Sequence, residues 1–200
     1  MIQKSDNPSL IPRESIKTKR KLPFIDNLID RIKNKIISSS LVHPNTYAKL
    51  RGVQFGHSCS FRTKYFGSEP YLISMGNNVA TSVDVSFVTH DGAIEVIRNL
   101  SPEYKNADLF GRIQIGNNVF IGWGSVILPG TTVGDNVIIG AGSVVKGTLE
   151  SNSVYAGVPA KFISSIEDYI EKNKTALTFT KHMLPLEKKD FLMHGNRTSQ

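Results

Sequence analysis

The amino-acid sequence predicts an all-β solenoid, a stack of coils made of very short strands, and three observations carry that prediction. From Leu109 the chain reads LFGRIQ, IGNNVF, IGWGSV, ILPGTT, VGDNVI, IGAGSV, VKGTLE, with an aliphatic residue at every sixth position: Leu109, Ile115, Ile121, Ile127, Val133, Ile139 and Val145. The same period occurs upstream as MGNNVA, TSVDVS and FVTHDG, led by Met75, Thr81 and Phe87, so nine of ten lead positions are apolar in a chain that is 40% hydrophobic. The residue after the lead aliphatic is often glycine, at Gly116, Gly122, Gly134 and Gly140.

A period of six is neither the 3.6 of a helix nor the alternation of a simple strand. It fits strands joined by tight turns, three hexads to a triangular coil, with each lead aliphatic stacked inward on its counterpart in the next coil. Glycine is expected to supply backbone freedom where the chain turns. Ser125, Thr131 and Ser143 are small enough to fit beside those turns. No coil buries its own core, so several must stack.

The elements follow in order. Residues 1–21 are polar, basic and Pro-containing, and read as a flexible leader. Residues 22–49 form an amphipathic helical segment, because Ile25, Leu28, Ile29, Ile32 and Ile36 recur at three- and four-residue steps. That stripe packs on the body or on a neighbouring subunit; the sharper alternative is an interfacial helix held to anionic lipid by its basic flanks. Residues 50–161 hold the solenoid. It is interrupted by AIEVIRNLSPEYKNAD, a loop over residues 93–108 that begins just after His90 and Asp91. A loop that long inside a solenoid is usually functional or disordered. Residues 162–200 are a C-terminal helix and tail. FISSIEDYIEKNK reads as a short helix capping the stack, and PLEKKDFLM as a helix with Pro185 at its first position.

Composition narrows the function. The net charge is +7, but residues 1–50 hold ten Lys/Arg against four acids, so the leader is basic and the body nearly neutral. That argues against nucleic acid as a partner, since a binding face needs basic residues on the folded body. Cys59 is the single cysteine, so no internal disulfide and no Cys-rich metal site is expected. No apolar run approaches the roughly 18 residues that span a bilayer, and MIQKSDNPSL lacks the apolar centre of a signal peptide. The expected location is cytoplasmic, with peripheral contact at the inner membrane face as the alternative the basic leader allows. Without a secretion signal, the triplet Asn196-Arg197-Thr198 carries little weight as a glycosylation site.

His90, in SFVTHDG, is the only histidine of the repeat region. A neutral imidazole accepts a proton near neutral pH, and a base of this kind contributes about 10²–10⁴-fold in rate. Asp91 is adjacent in a strand-like segment and is expected to point the other way. Asp84 lies six residues before His90, in the equivalent place one hexad earlier. It is expected to face a similar direction, either as an acceptor-binding carboxylate or as a solvated one at a turn. A zinc site of the γ-carbonic anhydrase kind needs about three histidines, and the repeats hold one; no metal is expected.

The run IGNNVFIGWGSVILPGTTVGDNVIIGAGSVV followed by AGVPAK resembles the hexapeptide-repeat acyltransferases. The closer likeness is to the branch of maltose, galactoside and nodulation-factor O-acetyltransferases and capsule or lipopolysaccharide O-acetyltransferases. The resemblance implies a left-handed parallel β-helix. It implies a homotrimer with a cleft between neighbouring prisms where acetyl-CoA lies, and a histidine beside the protruding loop as general base, here His90. It also implies an oxyanion donor at the main-chain amide of Trp123, and backbone contact to pantetheine at Ala141. Lys146 and Gly147 fall where the family usually has Thr-Lys, so the positive charge sits one residue early; Lys161, in GVPAK, matches a basic position near the CoA phosphates. Trp123 occupies a slot that is normally small or polar, so it either stacks on the cofactor or restricts the acceptor pocket. The expected reaction is acetyl transfer from acetyl-CoA to a sugar or polysaccharide hydroxyl. An antibiotic-modifying acetyltransferase on the same fold is the alternative, and a non-catalytic solenoid scaffold is the alternative of another class.

Overall fold

The computed structural model describes residues 41–195 together with Arg31 and Lys35. The predicted leader, the stripe over residues 25–36 and the 196–198 triplet lie outside the described residues. The chain divides into two compact units, Met1–Leu41 and Val42–Gln200, and every element named here belongs to the second. Its first element is a helix α1, Pro44–Leu50, which the sequence had placed at the end of the helical segment. Pro44 stands at its first position, and the His43 side chain caps it by accepting from the Asn45 N–H at 3.2 Å.

The solenoid strands are β1 Gln54–Phe55, β2 Ser60–Arg62, β3 Ile73–Met75, β4 Ala80–Val83, β5 Ser86–Phe87, β6 Ile113–Ile115, β7 Val119–Ile121, β8 Val126–Ile127, β9 Thr132–Val133, β10 Val137–Ile139, β11 Val144–Val145, β12 Thr148–Leu149 and β13 Ser153–Ala156. They form three faces: β1-β3-β6-β9-β12, β2-β4-β7-β10-β13 and β5-β8-β11. Every pairing among these strands is parallel. Successive hexads therefore fall on successive faces, and the chain returns to a face after three.

The core runs along the inside of the stack. Nine of the ten predicted lead residues are buried: Met75, Thr81, Phe87, Ile115, Ile121, Ile127, Val133, Ile139 and Val145. Thr81 fits among them because its Oγ1 accepts from the Arg62 N–H at 3.1 Å, which satisfies a polar atom that burial would otherwise penalise. The first coils are filled by aromatic rings: Phe66 lies 5.3 Å from Phe87 and 5.7 Å from Phe61, and Ala48 and Tyr47 of α1 pack against that end. Ser125, Thr131 and Ser143 are buried at the turns and donate to the carbonyls of Gly140, Leu128 and Gly140 respectively.

The tenth lead position corrects the sequence reading. Leu109 is 50% exposed and belongs to the excursion, not to a coil. The register advances 18 residues from Val119 to Val137 but 40 from Ile73 to Ile113, so one coil carries 22 extra residues where the period suggested about sixteen. The hexad LFGRIQ matched the period by composition, but its leucine has no core slot to fill. The excursion is also not a plain loop. It folds as a helix α2, Ile94–Leu100, and a 3₁₀ turn, Pro102–Tyr104.

The glycines act differently from the expectation. Gly116, Gly122, Gly134 and Gly140 do not have positive φ; the turns are made by Gly124, Gly130, Gly142 and Gly147 and by Asn78, Asn118, Asn136 and Asn152. The glycine after each lead aliphatic is required by close stacking of coils: a Cβ on Gly122 would stand 2.5 Å from the Ala141 nitrogen, and one on Gly140 would stand 2.8 Å from the Ala156 Cβ.

The C-terminal end also departs from prediction. Residues 161–165 are not helical. They form β14, Lys161–Ser165, antiparallel to β13, and the helix α3 begins only at Ile166 and runs to Asn173. Ser165 explains the boundary, because its side chain accepts from the Asp168 N–H at 3.0 Å and caps the helix. The strand covers the open edge of the six-stranded face, which would otherwise present unpaired backbone groups. A last helix, α4, spans Pro185–His194 with Pro185 at its first position, as the sequence predicted.

Candidate active site

His90 stands where the excursion leaves the prism. Its neighbour Thr89 is buried, with Oγ1 donating to Glu69 Oε2 at 3.0 Å, and the Val88 N–H donates to the Ile127 carbonyl at 2.8 Å. The excursion closes on itself at an antiparallel bridge between His90 and Phe110. The Asp91 N–H donates to the Leu109 carbonyl at 2.8 Å, and the Gly111 N–H to the Thr89 carbonyl at 3.0 Å. The backbone on both sides of the imidazole is thus fixed, and the Phe110 ring lies 4.8 Å from the imidazole, tilted 40°.

A pocket of about 360 Å³ opens here, lined by His90 and Asp91, by apolar Leu109, Phe110 and Leu128, and by Lys146. The site is mostly apolar, with a base, a cation and a carboxylate at its rim, which is the usual build of a small-molecule site. The Asp91 carboxylate is engaged elsewhere: Oδ1 accepts from the Ala93 N–H at 3.0 Å, starting the turn into α2.

The carboxylate that approaches His90 is one the sequence reading missed. Asp108 Oδ1 lies 3.5 Å from His90 Nε2 and pairs closely with Arg98. Arg98 is anchored in turn by its Nε to the Ala107 carbonyl at 2.6 Å and by Glu95 at 2.8 Å. No spacing in the sequence marks Asp108. It is 18 residues from His90, and the folded excursion alone brings it there.

The predicted residues fall at two corners of the prism. Trp123 and Ala141 lie between the six- and three-stranded faces, with the Gly142 N–H donating to the Trp123 carbonyl at 2.7 Å. Trp123 is exposed. Asp84 lies at that same corner, exposed and with φ 58°, in the stack that Gly124 and Gly142 continue. The expectation that Asp84 faces as His90 does is therefore wrong, because a step of six residues carries an equivalent position to the next corner. His90, Lys146 and Gly147 lie at the following corner, between the three- and five-stranded faces. Lys161 is exposed at the start of β14, after a segment whose Ala160 N–H donates to the Val144 carbonyl at 2.8 Å. Within one chain the His90 corner and the Trp123 corner are separate. Among the described residues no helix is long and apolar enough to cross a membrane.

Comparison with known proteins gives consistent matches. The family model described as "Bacterial transferase hexapeptide (six repeats)" matches residues 112–147. Protein CapG of Staphylococcus aureus is 50% identical over 146 residues, covering 72% of this chain and 83% of that protein. The galactoside O-acetyltransferase of Escherichia coli K12 is 41% identical over 103 residues, covering 50% of this chain and 47% of that protein. Among solved structures, a maltose O-acetyltransferase from Clostridium difficile 630 superposes with a TM-score of 0.50 at 21% identity, covering 72% of this chain and 89% of that one, a likeness of fold.

Proposed function

The chain belongs to the hexapeptide-repeat acetyltransferases, and from that premise we propose that it moves the acetyl group of acetyl-CoA to a hydroxyl of a sugar or polysaccharide, with His90 as general base. The observation that carries this reading is the situation of His90. It is the only histidine between Met75 and Leu149, held by backbone bonds on both sides at the neck of the excursion, and it lines an apolar pocket.

The chemistry follows from what each group can supply. His90 takes the proton of the acceptor hydroxyl as its oxygen bonds to the thioester carbonyl carbon. The carbonyl oxygen becomes an oxyanion, for which the Trp123 main-chain amide is the proposed donor. On collapse the carbon–sulfur bond breaks, and the imidazolium returns its proton to the departing CoA thiolate. Acetyl-CoA runs past Ala141, with Lys146, Gly147 and Lys161 toward its charged end. Lysine suits phosphate as a point charge. Asp84, at the Trp123 corner, is retained as an acceptor contact.

The separation of the two corners supports a homotrimer. A base from one corner and an amide from another can meet in one site only if neighbouring prisms face each other. A left-handed coil is part of the same reading, as is peripheral docking at the inner membrane face by the basic leader.

The test is calorimetry with acetyl-CoA on wild type and on His90→Ala, with thiol release on a panel of methyl glycosides. Binding by both proteins, one site per subunit in a trimer, with release lost only in His90→Ala, is the expected result. Absence of binding at millimolar acetyl-CoA would instead favour a scaffold on an acyltransferase fold.

A further inference from the structure

Nε2 of His90 is shut off from solvent and makes no hydrogen bond among the described residues, while Oδ1 of Asp108 stands 3.5 Å away. A buried polar atom left without a partner is destabilising. A movement of a few tenths of an ångström would turn this approach into a hydrogen bond of ordinary length. Asp108 is not free to turn away, because the same Oδ1 accepts from Arg98. Arg98 is itself held at three points, by Asp108, Glu95 and the Ala107 carbonyl. Phe110 packs against the imidazole ring. One contact thus limits the plane of the ring and another its edge.

We propose that Asp108, locked by Arg98, is a positioning residue for His90: it accepts the Nε2–H and so leaves the lone pair on Nδ1 to take the acceptor's proton. The logic is that of any base oriented by a third group, which fixes the tautomer and supports the imidazolium once it forms. Arg98 has a matching role. A guanidinium only donates, so it holds the carboxylate oxygen facing the ring. The excursion then serves the reaction through a rigid link from α2 to the base, as well as shaping the pocket. This inference rests on His90 being the base.

The experiment has one readout that needs no acceptor. In protein labelled with ¹⁵N-histidine, at about pH 8 where an ordinary imidazole is neutral, wild type is expected to show a solvent-protected N–H signal at Nε2 of His90. His90→Gln assigns the signal. Asp108→Ala and Arg98→Ala should lose the protection while the amide fingerprint of the fold is kept. In parallel, thiol release from acetyl-CoA with methyl β-galactoside should fall at least about tenfold in kcat for Asp108→Ala, as part of the base's contribution, with acetyl-CoA affinity unchanged. Asp108→Glu should recover part of it, and in a His90→Ala background Asp108→Ala should have no further effect. If Asp108→Ala does not fold, Asp108→Asn, which keeps the size and one oxygen, carries the comparison. A proton found on Nδ1 in wild type, or full kcat in Asp108→Ala, overturns the proposal. If wild type neither binds acetyl-CoA nor releases thiol with any glycoside of the panel although the Nε2–H signal behaves as expected, the transferase reading fails and the positioning of the ring stands.

Discussion

Two corners of one prism are made by the same repeat and differ by one insertion. At the Trp123 corner three successive coils turn alike, through Asp84 at φ 58°, Gly124 at 66° and Gly142 at 69°, and each turn bonds to the one below. At the His90 corner the coil of β5 does not turn; the chain leaves at His90 and returns at Phe110. The regular corner presents backbone at fixed spacing, which suits a long flexible cosubstrate. At the interrupted corner an imidazole and an aromatic ring line a pocket, with the Asp108 carboxylate beside the imidazole and the Arg98 guanidinium paired with that carboxylate. Repetition repeats one environment, and an insertion is the way to obtain a single different one.

The comparison can be broken most directly at His90. His90→Ala is expected to lower thiol release by about 10²–10⁴-fold and to leave acetyl-CoA binding intact; an equal loss of binding would make both corners cofactor sites. Next in size is the regular corner's own geometry. Gly122→Ala puts a Cβ 2.5 Å from the Ala141 nitrogen, so urea unfolding should show a loss of about 1–3 kcal/mol, as overpacking does; an unchanged midpoint would mean that the coils can separate. Lys161→Ala is expected to weaken acetyl-CoA binding about tenfold, or about 1.4 kcal/mol, without changing kcat at saturation, and calorimetry separates it from a solvated lysine. The smallest effects distinguish two open glycines. Gly124, with φ +66° and nothing near its Cβ, should cost about 1 kcal/mol on substitution by Ala. Gly92, equally open but without positive φ, should change stability by less than about 0.5 kcal/mol. Equal costs at Gly124 and Gly92 would show that the backbone of the regular corner is not held in its turn.

Much of the fold was legible because it is written many times. The aliphatic at every sixth position recurs often enough that Thr81 could join the pattern and one false match, Leu109, did not spoil it. The glycines were noticed for the right positions and the wrong reason. Their period is visible in the chain, but whether a glycine serves a turn or a close approach depends on the coil above it. The strand β14 was hidden for a similar cause. KFISS has no period of its own, and it becomes a strand because β13 offers an open edge.

At the site, His90 could be selected from sequence because it is the only histidine between Met75 and Leu149 and is followed by the interruption. Its companions could not. Asp91, expected to point away, accepts from the Ala93 N–H instead, whereas Asp108, 18 residues away and unmarked in the sequence, approaches the ring. Likewise Asp84 and His90 share a place in the hexad and occupy different corners. The sequence by itself determined the stack, its inward residues and the histidine at the break, since these follow from local period and side-chain chemistry. Only the tertiary structure decided which carboxylate approaches His90, which corner each predicted residue occupies and how the excursion closes, because those contacts are set by where a folded insertion returns, and a single return leaves no repeated spacing to read.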